Sequence, residues 1–207
     1  MRQTTGVRFE TAFLSNNPPD DERTKRLIYW CHRFDELGLA PKSAGNLSFR
    51  TKTGFIITAT GIALSDAEKE NLVEVLKVEM NETQIRVRVK GRVVPSKESV
   101  LHSGIYALRP EINVVFHIHD ELVVELADEL NLPCTEGEQP RGSHELAQEV
   151  NRVLGLNGDA KYLVVRNHGI ISMGETLEEA GKLVEDIHKI ARNRKQKGGR
   201  NEGNSSL

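Results

Sequence analysis

The stretch "VVFHIHDE", residues 114–121, sets two imidazoles two positions apart inside a run of β-branched and apolar residues. Side chains two apart on a strand project to one face, so His117 and His119 can reach the same ion. A third imidazole, His168, stands in "VRNHGII" at another strand end, beside a glycine. Three neutral imidazoles that leave one position open make a catalytic rather than a structural zinc site. Glu98 belongs to "PSKES", which reads as the first turn of a helix. It is placed either to complete the metal's shell or to stand beside it as the acid/base group.

Outward from this stretch the chain alternates irregularly between helical and strand patterns. Residues 1–19 are polar, end in "NNPPDD", and are expected to form a flexible lead-in. A helix is expected from Asp20 or Asp21, with Leu27, Ile28, Cys31, Phe34 and Leu37 as its apolar stripe and Gly38 as its stop. "NLSFR" and "FIIT" read as short strands, and Ser65 with Glu68 has the spacing of a capping box on a brief helix. "LVEVLKVEM" and "QIRVRVKG" alternate with period two and predict a hairpin. Helices are predicted over "PSKESVLHSGIYAL", "DELVVELADEL", "GSHELAQEVNRVL" (capped by Ser143) and "TLEEAGKLVEDIHKIARNR" (capped by Thr176). "KYLVVRNHG" and "IISMG" pair as strands bent at Asn167–Gly169. The expected fold is an α/β class αβα sandwich: one catalytic domain, residues 20–193, built on a central mixed, mainly antiparallel sheet with helices on both faces. The Gly-rich polar residues 194–207 are expected to be disordered.

Composition narrows the function. A chain of 207 residues with a formal charge of −2 has no electrostatic footprint for nucleic acid or an anionic membrane. The basic run "ARNRKQKGGR" lacks interleaved aromatics and reads as a solvated helix end. No apolar run is long enough to span a bilayer or to serve as a signal-peptide core. Cys31 and Cys134 are far apart in sequence without ligand spacing, which fits free thiols in a reducing cytoplasm. His32, His144 and His188 sit on helices without matching partners and read as surface or packing residues. His102 follows Glu98 by one helical turn and reads as a structural neighbour of the site, while Arg166 and Asn167 flank His168 and are placed to orient it or line a pocket.

Five pieces, "AGNLSFR", "TATG", "PSKESVLH", "RPEINVVFHIHD" and "VRNHGIISMG", occur here in the order in which they occur in the class II aldolase/adducin family, and the chain resembles that family from about residue 26 to residue 190. The resemblance implies His117, His119 and His168 as metal ligands. It implies Glu98 as the catalytic carboxylate, which also ligates the resting metal until substrate displaces it. It further implies a homotetramer with active sites at subunit contacts. Asn46 after Gly45, the Thr60–Gly61 turn and the helix cap Ser96 offer the neutral donors a phosphate needs, and the family holds its substrate phosphate at these positions. Lys97 stands where the family's fuculose-phosphate aldolases have serine. "PSKE" resembles instead the family's 3-oxo-tetronate 4-phosphate decarboxylases, where a fixed cation beside phosphate or carboxylate has a use.

The chemistry expected is carbon–carbon bond cleavage in a small phosphorylated sugar. Retro-aldol cleavage leaves negative charge on a neighbouring oxygen as an enediolate, which a divalent ion stabilises by several kcal/mol. Zinc suits three imidazoles, with cobalt or manganese as alternatives. An aldolase is the first reading and a sugar-acid phosphate decarboxylase the second. A dehydratase, an epimerase and a non-catalytic adducin-like interaction module follow. Tyr29, Tyr106 and Tyr162 are the only tyrosines, and none falls in the loop "NLPCTEGEQPRG" or the tail, where fuculose-phosphate aldolases supply tyrosines for the aldehyde end.

Overall fold

Alternation along β6 (Val114–Ile118) divides the interior into two cores. Val114, Phe116 and Ile118 enter one core, with Leu27, Trp30 and Phe34 of α1 (Thr24–Glu36) and Ala180 and Val184 of α5 (Leu177–Glu202). Val115 enters the other, with Val100, Leu101 and Ile105 of α2 (Ser99–Leu108) and Leu146, Val150 and Leu154 of α4 (His144–Leu156). All five residues of β6 are buried, which is why its sequence reads as a continuous apolar run. His117 shares the α2 face with Val115 by parity. The computed structural model describes residues 8–81 and 83–202, with side chains described as far as Lys197.

The remaining strands are β1 (Arg8–Ser15), β2 (Asn46–Arg50), β3 (Phe55–Thr58), β4 (Leu72–Met80), β5 (Gln84–Lys90), β7 (Tyr162–Val165) and β8 (Gly169–Gly174). They form one eight-stranded sheet in the order β1-β5-β4-β3-β2-β6-β8-β7. Only β1 and β5 run parallel; every other pair is antiparallel. This is the mixed, mainly antiparallel αβα sandwich expected. Two registers matter for function: Asn46 lies opposite His117, and Val165 opposite Gly169 at the tight end of the β7–β8 hairpin.

Several boundaries differ from expectation. Residues 8–15 of the anticipated lead-in form β1, whose backbone is satisfied by β5; its side chains are half-buried or exposed, so the sequence carries little apolar signal. Residues 1–7 and 203–207 lie outside the described residues. Helix α5 continues through 194–202 where a disordered tail was expected. Arg194 Nε lies 3.1 Å from Glu129 Oε2, and Lys195 Nζ 2.8 Å from Glu125 Oε2, tying this end to the chain around the short helix α3 (Glu121–Glu125). Helix α1 starts at Thr24 rather than at Asp20 or Asp21, because the Asp21 carboxylate and carbonyl accept the amides of Arg23 and Thr24 in a preceding turn. Its stop is as expected: Gly38 has φ +71°, and Leu39 N–H donates back to Phe34 O at 2.9 Å.

The capping box lies at Glu68 and Asn71 around a 3₁₀ turn, not at Ser65 and Glu68. Helix α2 begins at Ser99, so Pro95 and Ser96 belong to the turn before it. Helix α3 ends at Glu125, well short of "DELVVELADEL", and the chain continues in turns. Ser143 and Thr176 cap α4 and α5 as expected, accepting amides at 3.1 Å each. Cys31 and Cys134 are both free thiols. Among the described residues no helix is long and apolar enough to cross a membrane.

Candidate metal centre

The end of β6, the β7–β8 turn and the turn before α2 meet at one end of the sheet. His117, the penultimate residue of β6, is fully buried; His119 follows just past the strand, and its amide donates to Leu39 O at 3.1 Å. His168 sits in the β7–β8 turn after Asn167, whose φ of +58° supplies the bend. The three rings have centroids 4.7, 4.9 and 5.0 Å apart, and one ligand atom from each lies within 4.8 Å of the others. Close approach of the hairpin requires Gly169. A Cβ there would lie 2.4 Å from Ile118 O and 3.1 Å from His117 Cε1.

Hydrogen bonding settles which nitrogen faces inward. His117 Nδ1–H donates to Ile170 O at 3.0 Å, and a carbonyl can only accept, so His117 Nε2 carries a lone pair. That lone pair faces His119 Nε2 at 3.1 Å and Glu98 Oε2 at 3.3 Å, and Glu98 Oε1 lies 3.4 Å from His168 Nε2. Both nitrogens of His168 are buried without a hydrogen-bond partner. Burial lowers the imidazole pKa values, to about 4 for His117 and His119 and about 3 for His168, so the rings are neutral near pH 7. The contacts with Glu98 are therefore not ion pairs. The His117 lone pair and the Glu98 carboxylate oxygen 3.3 Å away repel each other unless a proton or a cation lies between them. Tetrahedral zinc places its ligand nitrogens roughly 3.3 Å apart, so the donor set fits a divalent metal.

Glu98 occupies the N-cap position of α2, but its side chain does not cap the helix. It turns toward the rings and accepts from Asn46 Nδ2 at 2.7 Å. Asn46 reaches it because β2 pairs with β6 in the register that puts Asn46 beside His117. Below this layer, Ser48 Oγ contacts His102 Nδ1 at 2.6 Å and Tyr106 OH at 2.8 Å, a buried chain that supports the site from the α2 side. His102 is thus structural, as expected. His188 departs from its expected lack of a partner: its Nδ1 meets Asp120 Oδ2 at 2.7 Å, beside His119 in sequence.

A cleft of about 180 Å³ opens over the rings. It is lined by Asn46, Thr60, Gly61, Ser96, Lys97, Glu98, His119 and His168, which gathers the sequence-identified residues in one place, with the wholly buried His117 behind the other two rings. Gly61 has φ +76°, the conformation that makes the Thr60–Gly61 turn tight. A larger groove of about 470 Å³ between α1 and α5, lined by Arg33, Glu185 and Arg192, holds none of these groups. Arg141 also lines the cleft and was missed from sequence; only the turn glycine after it hinted at a constrained position. Arg166 corrects the opposite way. Its guanidinium pairs with Asp128 at 3.0 Å and does not line the cleft. Tyr106 and Tyr162 are buried and Tyr29 is exposed on α1, so none of the three lines it either.

Residues 25–194 match the family model described as the class II aldolase and adducin N-terminal domain. The chain belongs to the class II aldolase/adducin family. It is 30% identical over 186 residues to the L-fuculose phosphate aldolase of Haemophilus influenzae, covering 82% of this chain and 81% of that protein. It is 28% identical over 180 residues to the 3-oxo-tetronate 4-phosphate decarboxylase of the same organism, covering 77% and 80% respectively. The crystal structure of L-fuculose-1-phosphate aldolase from Thermus thermophilus superposes with a TM-score of 0.74 at 23% identity, covering 90% of this chain and all of that one, which establishes the shared fold.

Proposed function

We propose that this family member is a metal-dependent carbon–carbon lyase acting on a small phosphorylated sugar, most simply a sugar-phosphate aldolase. The observation that carries the reading is the Glu98 carboxyl group held 3.3 and 3.4 Å from the nitrogens of His117 and His168. His117, His119 and His168 would hold the ion, zinc being the metal three imidazoles suit best. When bound, the metal supplies a Lewis acid for the negative charge that develops next to the breaking bond. Thr60, Gly61, Ser96 and Asn46 line the wall where neutral donors would take the phosphate. Glu98, fixed by Asn46, would carry the proton released by the hydroxyl that becomes the carbonyl to the carbon that keeps the electron pair of the broken bond. The adducins in the family speak for a scaffold role instead. A scaffold has no use for buried imidazole nitrogens left without partners, which cost stability unless a ligand satisfies them. The same reading takes the working form as a cytoplasmic homotetramer with its sites at subunit contacts.

Decarboxylation of a sugar-acid phosphate is the second reading, favoured by Lys97 and Arg141 in the cleft. The test is turnover of the zinc-, cobalt- and manganese-loaded protein on a panel of sugar phosphates and 3-oxo-acid phosphates. Dihydroxyacetone phosphate plus an aldehyde selects the aldolase, and carbon dioxide release selects the decarboxylase. Glu98→Gln is expected to bind metal and abolish turnover; a fully active variant removes Glu98 from the chemistry.

A further inference from the structure

We propose that His188 and Asp120 are positioning residues for the metal centre, a buried link through which helix α5 holds the segment that carries His119. The inference rests on the metal-dependent reading above and concerns how one of the three ligands is oriented. The three rings are not held alike. His117 lies within β6, which pairs with β8 as far as Ile118, and its Nδ1–H donates to Ile170 O at 3.0 Å. His168 is clamped in the β7–β8 turn, where Gly169 approaches Ile118 O. His119 stands one residue beyond the ladder and is the least buried of the three. Among the described residues its ring meets only His117 Nε2 at hydrogen-bond distance, 3.1 Å, and no carbonyl or carboxylate accepts from it.

A ligating ring without an outer hydrogen-bond partner takes its orientation from its backbone. Two anchors fix that backbone. His119 N–H donates to Leu39 O at 3.1 Å, and the next residue, Asp120, is 2% exposed with both carboxylate oxygens engaged. Asp120 Oδ1 accepts Val123 N–H at 3.2 Å, and Oδ2 accepts His188 Nδ1–H at 2.7 Å. The first bond is local and forms with α3. The second crosses to α5, whose Ala180 and Val184 are packed in the core beneath the sheet, so it ties the ligand segment to a rigid layer. The pairs Arg194–Glu129 and Lys195–Glu125 also join α5 to this region, but they are exposed and hold little in water. His119, Asp120 and His188 line one cavity of about 400 Å³, so the segment has room to move once the link is cut. Movement there turns His119 Nε2 away from the point on which the three rings converge.

The test reads metal binding rather than turnover. The full-length protein and its variants are titrated with zinc against a competing chelator, and the cobalt-loaded forms are compared by their visible absorption bands, which report coordination geometry. His188→Leu is expected to weaken zinc binding about tenfold and to shift the cobalt bands. His188→Asn, whose amide N–H replaces the Nδ1–H donor, should restore most of both. Asp120→Ser keeps an oxygen to cap α3 but cannot reach His188, so it should reproduce the loss, and it carries the test should His188→Leu fail to fold. Because the two residues act through one bond, the double variant should lose no more than either single one. Zinc affinity within about twofold of the unmodified protein in both His188→Leu and Asp120→Ser overturns the proposal. So do losses that multiply in the double variant, or no recovery in His188→Asn. An affinity loss with unchanged cobalt bands also overturns it, because general destabilisation then accounts for the loss. In each of these cases the unmodified protein still binds zinc and the lyase reading stands. An unmodified protein that takes up neither zinc nor cobalt ends both.

Discussion

Asn46 Nδ2 donates to Glu98 Oε2 at 2.7 Å, across two segments more than fifty residues apart in sequence. The bond is buried, and Asn46 Oδ1 has no partner of its own. Removing the donor in Asn46→Ala frees Glu98 to rotate away from the rings. Loss of an outer partner of this kind is expected to lower kcat about ten- to hundredfold while zinc stoichiometry stays at one. Steady-state kinetics paired with metal analysis checks it; unchanged kcat would mean that Glu98 is held by other contacts.

Metal loading should be visible as stability. Zinc at about a hundredfold excess over its Kd adds roughly 2.7 kcal/mol to a protein that binds it only when folded. For a chain of this size that raises Tm by roughly 5–10 °C. His119→Ala removes one of the three nitrogens and should erase most of the shift, whereas a variant that keeps the full rise argues that the ion binds elsewhere.

Gly169→Ala tests the packing of the β7–β8 turn. The added methyl would stand 2.4 Å from Ile118 O and 3.2 Å from His119 Cδ2, so backbone rather than a flexible side chain must give way. A loss of about 2–4 kcal/mol in denaturant unfolding is expected, together with weakened zinc affinity. Stability and affinity both at wild-type levels would contradict the close approach.

His102 gives the metal-free protein a pH-dependent stability. Burial is the main cause that lowers its pKa from 6.5 to about 3. As pH falls below 6.5 the unfolded chain takes up a proton at this ring that the folded chain refuses, so folding stability drops until pH reaches the folded pKa. Between pH 6.5 and 5 this amounts to about 2 kcal/mol. His102→Gln, which cannot titrate there, should be less stable than wild type at pH 8 because the Ser48 contact is disturbed, and the gap should narrow toward pH 5. Equilibrium denaturation across that range decides it, and a constant gap would mean the ring is protonated in the folded state.

Periodicity marked what burial makes periodic. The all-apolar β6, the β4–β5 alternation and the stripe of α1 were legible because each presents its pattern to a core. Edge strand β1 escaped because its stability comes from backbone pairing with β5, which leaves no trace in side-chain type. The last turns of α5 escaped because surface pairs such as Lys195–Glu125 depend on where α3 lies. Arg166 looked relevant by adjacency to His168, yet its place in the turn sends it to Asp128 instead.

The linear order of residues determined the donor groups on offer, since the imidazoles of His117, His119 and His168 and the carboxyl group of Glu98 are chemistry that no folding step can create or remove. Strand parity alone put two of those rings on one side of β6. Their convergence with the third ring, the hold of Asn46 on Glu98, and the arrival of Arg141 beside Lys97 were decided only in three dimensions. Each depends on strand order and on loop closure between distant segments, and neither the pairing partner of a strand nor the landing point of a loop is encoded in local pattern.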